Sequence, residues 1–123
     1  MNPVRVFPVT ALLLLMGGSA VAHHSTAMFD NAVASTISGT VKQFQWTNPH
    51  CWIQVLVVND PGAGEWSIEM GSPSQLYRGG WRPGTLKEGD KITLTIHPMK
   101  DGSHAGLFVS AVTPDGKPLG THT

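Results

Sequence analysis

Three features of this sequence predict a small, mainly β fold. Short segments of alternating apolar and polar residues recur along the chain, and the 14 Gly and 9 Pro residues tend to fall between them. Hydrophobic residues make up 41% of the 123 residues, and four are Trp, which favours a packed core over disorder. A chain of this length fits a single domain. We therefore expect one small all-β domain (mainly strands, little helix).

The charge content excludes one class of partner. The formal net charge is zero and only 13% of the residues are charged. Such a chain has no basic surface to attract phosphates, so we expect no nucleic-acid partner. A protein partner is left open.

Residues 1–22 have the pattern of a signal peptide. Arg5 and the amino terminus give a positive start, a short apolar run follows at residues 9–16, and Ala20-Val21-Ala22 matches the small-x-small cleavage pattern. The run is well below the roughly 20 residues of a membrane span, so an uncleaved anchor is the disfavoured alternative. We expect export to the periplasm, cleavage before His23 and no transmembrane anchor afterwards.

The first strand is predicted over residues 36–46, after an N-terminal arm at residues 23–35. Ile37 and Val41 share one face by alternation, at odd-numbered positions, whereas Phe44 continues the apolar pattern at an even-numbered position. A switch of parity inside one strand predicts a β-bulge or sharp bend, here near residues 42–43. In the arm, Met28 and Phe29 are the expected contacts to the barrel domain, residues 36–123.

The second and third strands are predicted over residues 51–58 and 65–70. A turn at residues 47–49 precedes the second strand, because Pro49 cannot donate to a strand ladder. Both faces of the second strand are apolar, so we expect a central strand or one covered on both sides. The third strand should bury one face, formed by Trp66, Ile68 and Met70.

A short helix and two more strands complete the pattern. Ser72 is a suitable N-cap and Pro73 a suitable first helical residue for a helix that runs to Tyr77. The fourth and fifth strands are predicted over residues 91–97 and 106–113.

Three strands, a short helix and two strands is the order of a five-stranded OB-like Greek-key barrel. A bent first strand suits that fold, since it must serve both halves of the sheet. An immunoglobulin-like sandwich is the alternative, but it needs about seven strands. We therefore predict the OB-like barrel.

Short motifs run through most of the chain. They are HHS at 23–25, AMFD at 27–30, GTV at 39–41, FQWTNPH at 44–50, EWSIE at 65–69, GSP at 71–73, GW at 80–81, LKEGD at 86–90 and HP at 97–98. Together they resemble a family of small exported proteobacterial proteins known only as a domain of unknown function. The resemblance implies a periplasmic location and no particular activity. That family pattern does not require histidine at the position of His104.

The six histidines all follow the predicted leader, and they are the residues on which a functional hypothesis rests. Cleavage after Ala22 would make His23 the amino-terminal residue, able to chelate one metal ion through its α-amine and Nδ1. A second imidazole would complete a T-shaped set of three nitrogens, which suits Cu(II). Reference pKa values of roughly 8 for an α-amine and 6.5 for an imidazole make both ligands available near neutral pH.

His50 and His97 are the candidate second ligands, because each lies at a strand end beside a Pro. His24 is a further candidate, although its adjacency to His23 makes a shared mononuclear geometry awkward. Met28 or Met99 is a candidate for a soft axial thioether. No catalytic constellation is recognisable, so no enzyme is expected.

A purely structural role is the alternative for each of these residues. His50 can serve structure alone by donating to a backbone carbonyl that locks the corner. The lone Cys51 is expected to be a buried, inert thiol, and Glu69 is expected to be solvated or paired. The four indoles offer either a ligand-binding platform or core packing; they are Trp46, Trp52, Trp66 and Trp81.

The sequence thus supports two hypotheses from different classes. The first is a non-enzymatic periplasmic protein that binds copper through His23 and His50. The second is an OB-type binding module for a small molecule, glycan or partner protein, in which the histidines are structural.

Overall fold

The computed structural model describes residues 26–59 and 62–120. The predicted signal peptide (1–22), His23 and His24 lie outside the described residues. The elements are a 3₁₀ turn (Thr26–Met28), strands β1 (Ser35–Gln45), β2 (Trp52–Val57), β3 (Gly64–Glu69), β4 (Lys91–Pro98) and β5 (Ala105–Val112), and helix α1 (Pro73–Arg78) between β3 and β4. Within the described ranges, no helix is long and apolar enough to cross a membrane.

The five strands form a closed barrel in the order β1-β2-β3-β5-β4, with β4 pairing back to β1. All neighbouring strands are antiparallel except β3 and β5, which are parallel. Their paired residues run from Ser67↔Ala105 to Glu69↔Leu107. This confirms the predicted OB-like barrel with one short helix between the third and fourth strands.

Strand β1 closes the barrel by pairing with two partners. Its first half, Ser35 to Thr40, pairs with β4, and its second half, from Thr40 onwards, pairs with β2. The register against β2 shifts between Val41 and Gln43, so the predicted bulge is confirmed. The shift explains the change of parity, since Val41 is buried and Phe44 packs against the same core.

The core fills the interior of the barrel and its helix-covered end. Strands β2 and β4 contribute alternate residues, and the segment after β3 adds Met70, Leu76 and Trp81. The fully or nearly fully buried side chains are Val41, Cys51, Ile53, Val55, Val57, Ile68, Met70, Leu76, Trp81, Leu86, Ile92, Leu94, Ile96, Phe108 and Ala111.

β2 is a central strand between β1 and β3, which is one of the two arrangements predicted for it, and its outer face is not covered by a second layer. Leu56 is 41% exposed and Val58, just past the strand, is 81% exposed. Only the inward set, including Ile53 and Val55, is buried. A barrel strand has one face in the core and one outside, and apolar composition alone does not reveal which residues lack a covering layer.

Helix α1 has the predicted start. The Ser72 hydroxyl accepts from the Gln75 amide, and the Gln75 side chain accepts from the Ser72 amide at 2.9 Å, which completes a capping box. Pro73 occupies the first turn, and Leu76 is buried in the core.

The N-terminal arm is fixed to the loop between β4 and β5. Phe29 is 4% exposed and forms an isolated β-bridge with Met99. The Asp30 amide donates to the Pro98 carbonyl at 2.8 Å, and the Lys100 amide donates to the Met28 carbonyl at 3.0 Å. Phe29 is therefore the side chain that anchors the arm. The Met28 side chain is 40% exposed, so Met28 holds the arm through its backbone carbonyl and not through its side chain.

We predict that Gly39→Ala lowers the free energy of unfolding by about 1–3 kcal/mol. Gly39 lies where β1 passes from β4 to β2, and a Cβ there would collide with the Leu56 carbonyl oxygen and approach Val55 Cγ1 to 2.7 Å. Denaturant titration measures the change. Gly84→Ala is the matched control because nothing lies within 4 Å of its Cβ position. Equal stabilities of the two variants would contradict this account of barrel closure.

Candidate functional site

The corner between β1 and β2 is held against the end of β3. The Asn48-Pro49 peptide is cis, and the Thr47 hydroxyl donates to the His50 carbonyl at 2.7 Å. Two backbone hydrogen bonds join Cys51 to the segment after β3. The Cys51 amide donates to the Gly71 carbonyl, and the Met70 amide donates to the Cys51 carbonyl, both at 2.9 Å. These contacts fix the backbone of His50 beside the last residue of β3.

The His50 ring is oriented by its Nδ1 atom. Nδ1 lies 2.9 Å from the Met70 carbonyl oxygen. A carbonyl only accepts, so Nδ1 carries the proton and donates, and the lone pair of the neutral ring is on Nε2. This contact is the one expected of a structural histidine. It is also the contact that metal-ligating histidines commonly make with their second nitrogen.

Glu69 is the buried acid of this site. It is 5% exposed and the only charged side chain classed as buried in residues 26–59 and 62–120. Its Oε1 lies 3.6 Å from His50 Nδ1. The cost of burying a carboxylate falls when a strong donor lies nearby, and the His50 Nδ1–H is such a donor at the edge of hydrogen-bonding range.

His50 and Glu69 line one cavity of about 200 Å³. Its other described lining residues come from the arm, the segment after β3, helix α1 and β5: Thr26, Met70, Gly71, Gln75, Leu107 and Phe108. Thr26 belongs to the arm that Phe29 anchors. The cavity therefore brings together the arm, the β1–β2 corner and the end of β3.

Sequence reasoning missed Glu69 as a site residue. The sequence predicts Glu69 to be solvated or paired, and in the structure it is buried and lies beside His50. The structure pairs it with Trp52 on one neighbouring strand and Leu107 on the other. The available signal was the position of a carboxylate at a strand end, two residues before the GSP motif.

The structure does not bring His97 to this cavity. His97 pairs with Leu107, which in turn pairs with Glu69, so two strand spacings, about 10 Å in all, separate it from Glu69. Its Nδ1 donates to the Val33 carbonyl at 2.8 Å. His97 thus contacts the later part of the arm.

The four indoles have different surroundings. Trp81 is fully buried and packs against Phe44 and Phe108, so it belongs to the core. Trp66 is half-buried, donates to the Gly62 carbonyl and stacks on His104 with ring centroids 4.7 Å apart. Trp46 packs edge-on against Phe44. Trp52 is half-buried on the outer face of β2, beside Glu69.

Cys51 is fully buried, as expected, and its burial raises the pKa of the thiol. In the part of the chain that the structure describes, no group of three or more His, Cys, Asp or Glu side chains is placed to hold a metal ion.

We predict that Cys51 reacts with iodoacetamide at least ~100-fold more slowly in the folded protein than in denaturant, because the reactive thiolate is both rare and inaccessible. Mass spectrometry of timed samples at pH 8 measures both rates. Alkylation of the folded protein at the rate of an unfolded thiol would contradict the burial of Cys51.

The comparisons with known proteins place the chain in a family. Residues 11–109 match the model of the family of unknown function DUF6152, and since this match spans most of the chain, the chain belongs to that family. No curated protein matches it.

Proposed function

We propose that this member of the family of unknown function DUF6152 is an exported periplasmic protein that binds copper, without catalysis, through His23 at its mature amino terminus and His50. Three parts of the structure support the proposal. The His50 ring is pre-oriented by Met70, a carboxylate is buried beside it, and the arm carrying the predicted terminal histidine runs to the same cavity.

The observation that carries the proposal is that Thr26 and His50 line one cavity. One residue of chain spans at most about 3.6 Å. The Cα atom of His23, three residues before Thr26, is therefore within about 11 Å of the Thr26 Cα, and that of His24 within about 7 Å. An amino-terminal chelate at His23 is thus within reach of the His50 ring.

The donor set fits Cu(II). The α-amine and Nδ1 of His23, with Nε2 of His50, supply three nitrogens, and Cu(II) prefers tetragonal nitrogen coordination. His24 is a further candidate ligand from the same segment. His97 is not included, since it contacts Val33 and lies about two strands from Glu69.

An OB-type binding module is the second candidate function. One observation favours it: the outer face of β2 carries half-buried Trp52 beside Gln54, whose amide donates to Gln45 at 2.9 Å. OB folds bind oligosaccharides on this strand 2–3 face, and an indole with neighbouring amides suits a sugar. If this alternative holds, glycans change the tryptophan fluorescence and Trp52→Ala abolishes that change. Copper leaves the fluorescence unchanged.

We expect the mature protein to bind one Cu(II), and both a Gly added before His23 and His50→Gln to weaken binding at least about tenfold each. The added residue removes the α-amine from the chelate, and the substitution removes a nitrogen ligand. Competition with a chelator of known affinity measures the dissociation constants.

His104→Gln is the matched control for this titration. His104 stacks on Trp66 in the loop before β5, and its loss should leave the affinity within about threefold. An affinity unchanged by the added Gly would contradict the chelate, and an affinity unchanged by His50→Gln would contradict the second ligand.

We further expect Phe29→Ala to weaken Cu(II) binding although Phe29 supplies no ligand. Phe29 anchors the arm through its burial and its bridge to Met99, so its loss removes the constraint that keeps the amino terminus near His50. Leu86→Ala is the control, because it creates a cavity in the main core, costs about 2–5 kcal/mol of stability and leaves the arm in place. Equal copper affinities of the two folded variants would contradict the anchoring role.

A further inference from the structure

The cavity beside His50 contains a carboxylate that is almost completely withdrawn from solvent. Glu69 is 5% exposed and lines the cavity of about 200 Å³. We propose that this cavity binds a small primary amine as its ammonium ion, with Glu69 as the counter-ion and apolar side chains around the hydrocarbon part of the ligand. The inference goes beyond the proposed copper binding and does not rest on it, since every residue it uses lies in the described ranges.

The charge of Glu69 is incompletely compensated by the protein. Among residues 26–59 and 62–120, its one ionic partner is the His50 ring, whose Nδ1 lies 3.6 Å from Glu69 Oε1. The Nδ1–H of that ring donates to the Met70 carbonyl at 2.9 Å, so it is not directed at the carboxylate. Burying a carboxylate is costly unless it is paired and hydrogen-bonded. A cationic ligand in the cavity would supply the missing pairing.

The rest of the described lining suits the hydrocarbon part of such a ligand. Met70 and Phe108 are buried apolar side chains, and Leu107 is half-buried. Thr26 adds a hydroxyl that can accept a hydrogen bond from an ammonium group. The described lining contains no lysine or arginine that would repel a cation. One acidic group among apolar walls is thus the pattern of a site for an amine with a short apolar body.

The size of the cavity limits the ligand. A water molecule takes up about 30 Å³ in the liquid, so the cavity has room for roughly seven waters or for a ligand of about eight non-hydrogen atoms. Such a ligand is a monoamine with a short alkyl chain or a single ring. A primary ammonium group is favoured because it pairs with a carboxylate through short, charge-assisted hydrogen bonds.

A hard metal cation is a poorer occupant than an ammonium ion. Ca²⁺ and Mg²⁺ are surrounded by about six or more oxygen ligands, whereas Glu69 is the only carboxylate in the described lining. An ammonium ion has three N–H donors, which one carboxylate and a few neutral acceptors satisfy. The single buried acid therefore matches an organic cation.

Glu65 provides the comparison on the same strand. It is about half exposed and already pairs with Lys42 at 2.9 Å, so its charge is both hydrated and compensated. Charge interactions are several-fold stronger at a partly buried site than in water. Removing the charge of Glu69 should therefore weaken amine binding about 10–100-fold, whereas removing that of Glu65 should have little effect.

The test is calorimetric titration of the mature full-length protein with benzylamine and with benzyl alcohol, in a buffer that contains a metal chelator. Both probes have about eight non-hydrogen atoms, the size that the cavity accepts, and the amine is protonated at pH 7 like other alkylamines. We expect the protein to bind benzylamine at least about tenfold more tightly than benzyl alcohol. No binding of benzylamine, or equal affinities for the two probes, would overturn the inference.

Glu69→Gln locates the site. In this variant the preference for benzylamine should fall to within about threefold, because the amide carries no charge. Glu65→Gln is the matched control and should keep the full preference. A preference that survives Glu69→Gln would place the amine elsewhere and overturn the inference.

A third probe keeps the test decisive if Glu69→Gln does not fold. Methylamine carries the same charge as benzylamine but has no apolar body to contact Met70, Leu107 and Phe108. The unaltered protein should bind methylamine at least about tenfold more weakly than benzylamine, since burial of apolar surface is lost. Equal affinities for the two amines would contradict binding inside the cavity.

The amine and the copper proposals fail separately. The amine titrations contain no metal, so their outcome does not depend on the ligands of a copper ion. If the amine binds and the added Gly before His23 leaves copper affinity unchanged, the copper proposal is wrong and the amine site stands. If copper binds as proposed and benzylamine does not bind, the amine inference is wrong and the copper site stands.

Discussion

The double pairing of β1 is the constraint on which the rest of the structure depends. One strand pairs with β4 in its first half and with β2 in its second, and this closes the barrel. The closure needs the bulge between Val41 and Gln43 and a residue without a side chain at Gly39. It also sets the direction in which β1 leaves the barrel, towards the corner that carries His50.

The candidate site is a consequence of that geometry. The corner after β1 is joined by backbone hydrogen bonds to the segment after β3, which brings the His50 ring to the Met70 carbonyl and to Glu69. The arm lines the same cavity through Thr26 and is held by Phe29 on the β4–β5 loop. Three segments that are distant in sequence thus meet at one buried carboxylate.

Local sequence signals were enough to predict the elements and the barrel. The parity change in β1 indicated the bulge, and Ser72 with Pro73 indicated the helix start, because both signals depend on neighbouring residues alone. The burial of Glu69 and the separation of His97 from His50 could not be predicted in this way. Both depend on the parallel pairing of β3 with β5, which joins segments separated by a helix and a strand. The apolar faces of β2 left two arrangements open, a central strand or one covered on both sides, because apolar residues on both sides of a strand do not show which side a second layer covers.

The central claim is that export exposes a terminal histidine that shares one metal ion with His50. Its most direct test is the intact mass, under native conditions, of the protein recovered from exporting cells and treated with one equivalent of Cu(II). The account predicts a chain that begins at His23 and retains one copper ion. A chain that begins at another residue, or one that begins at His23 and retains no copper, would contradict it.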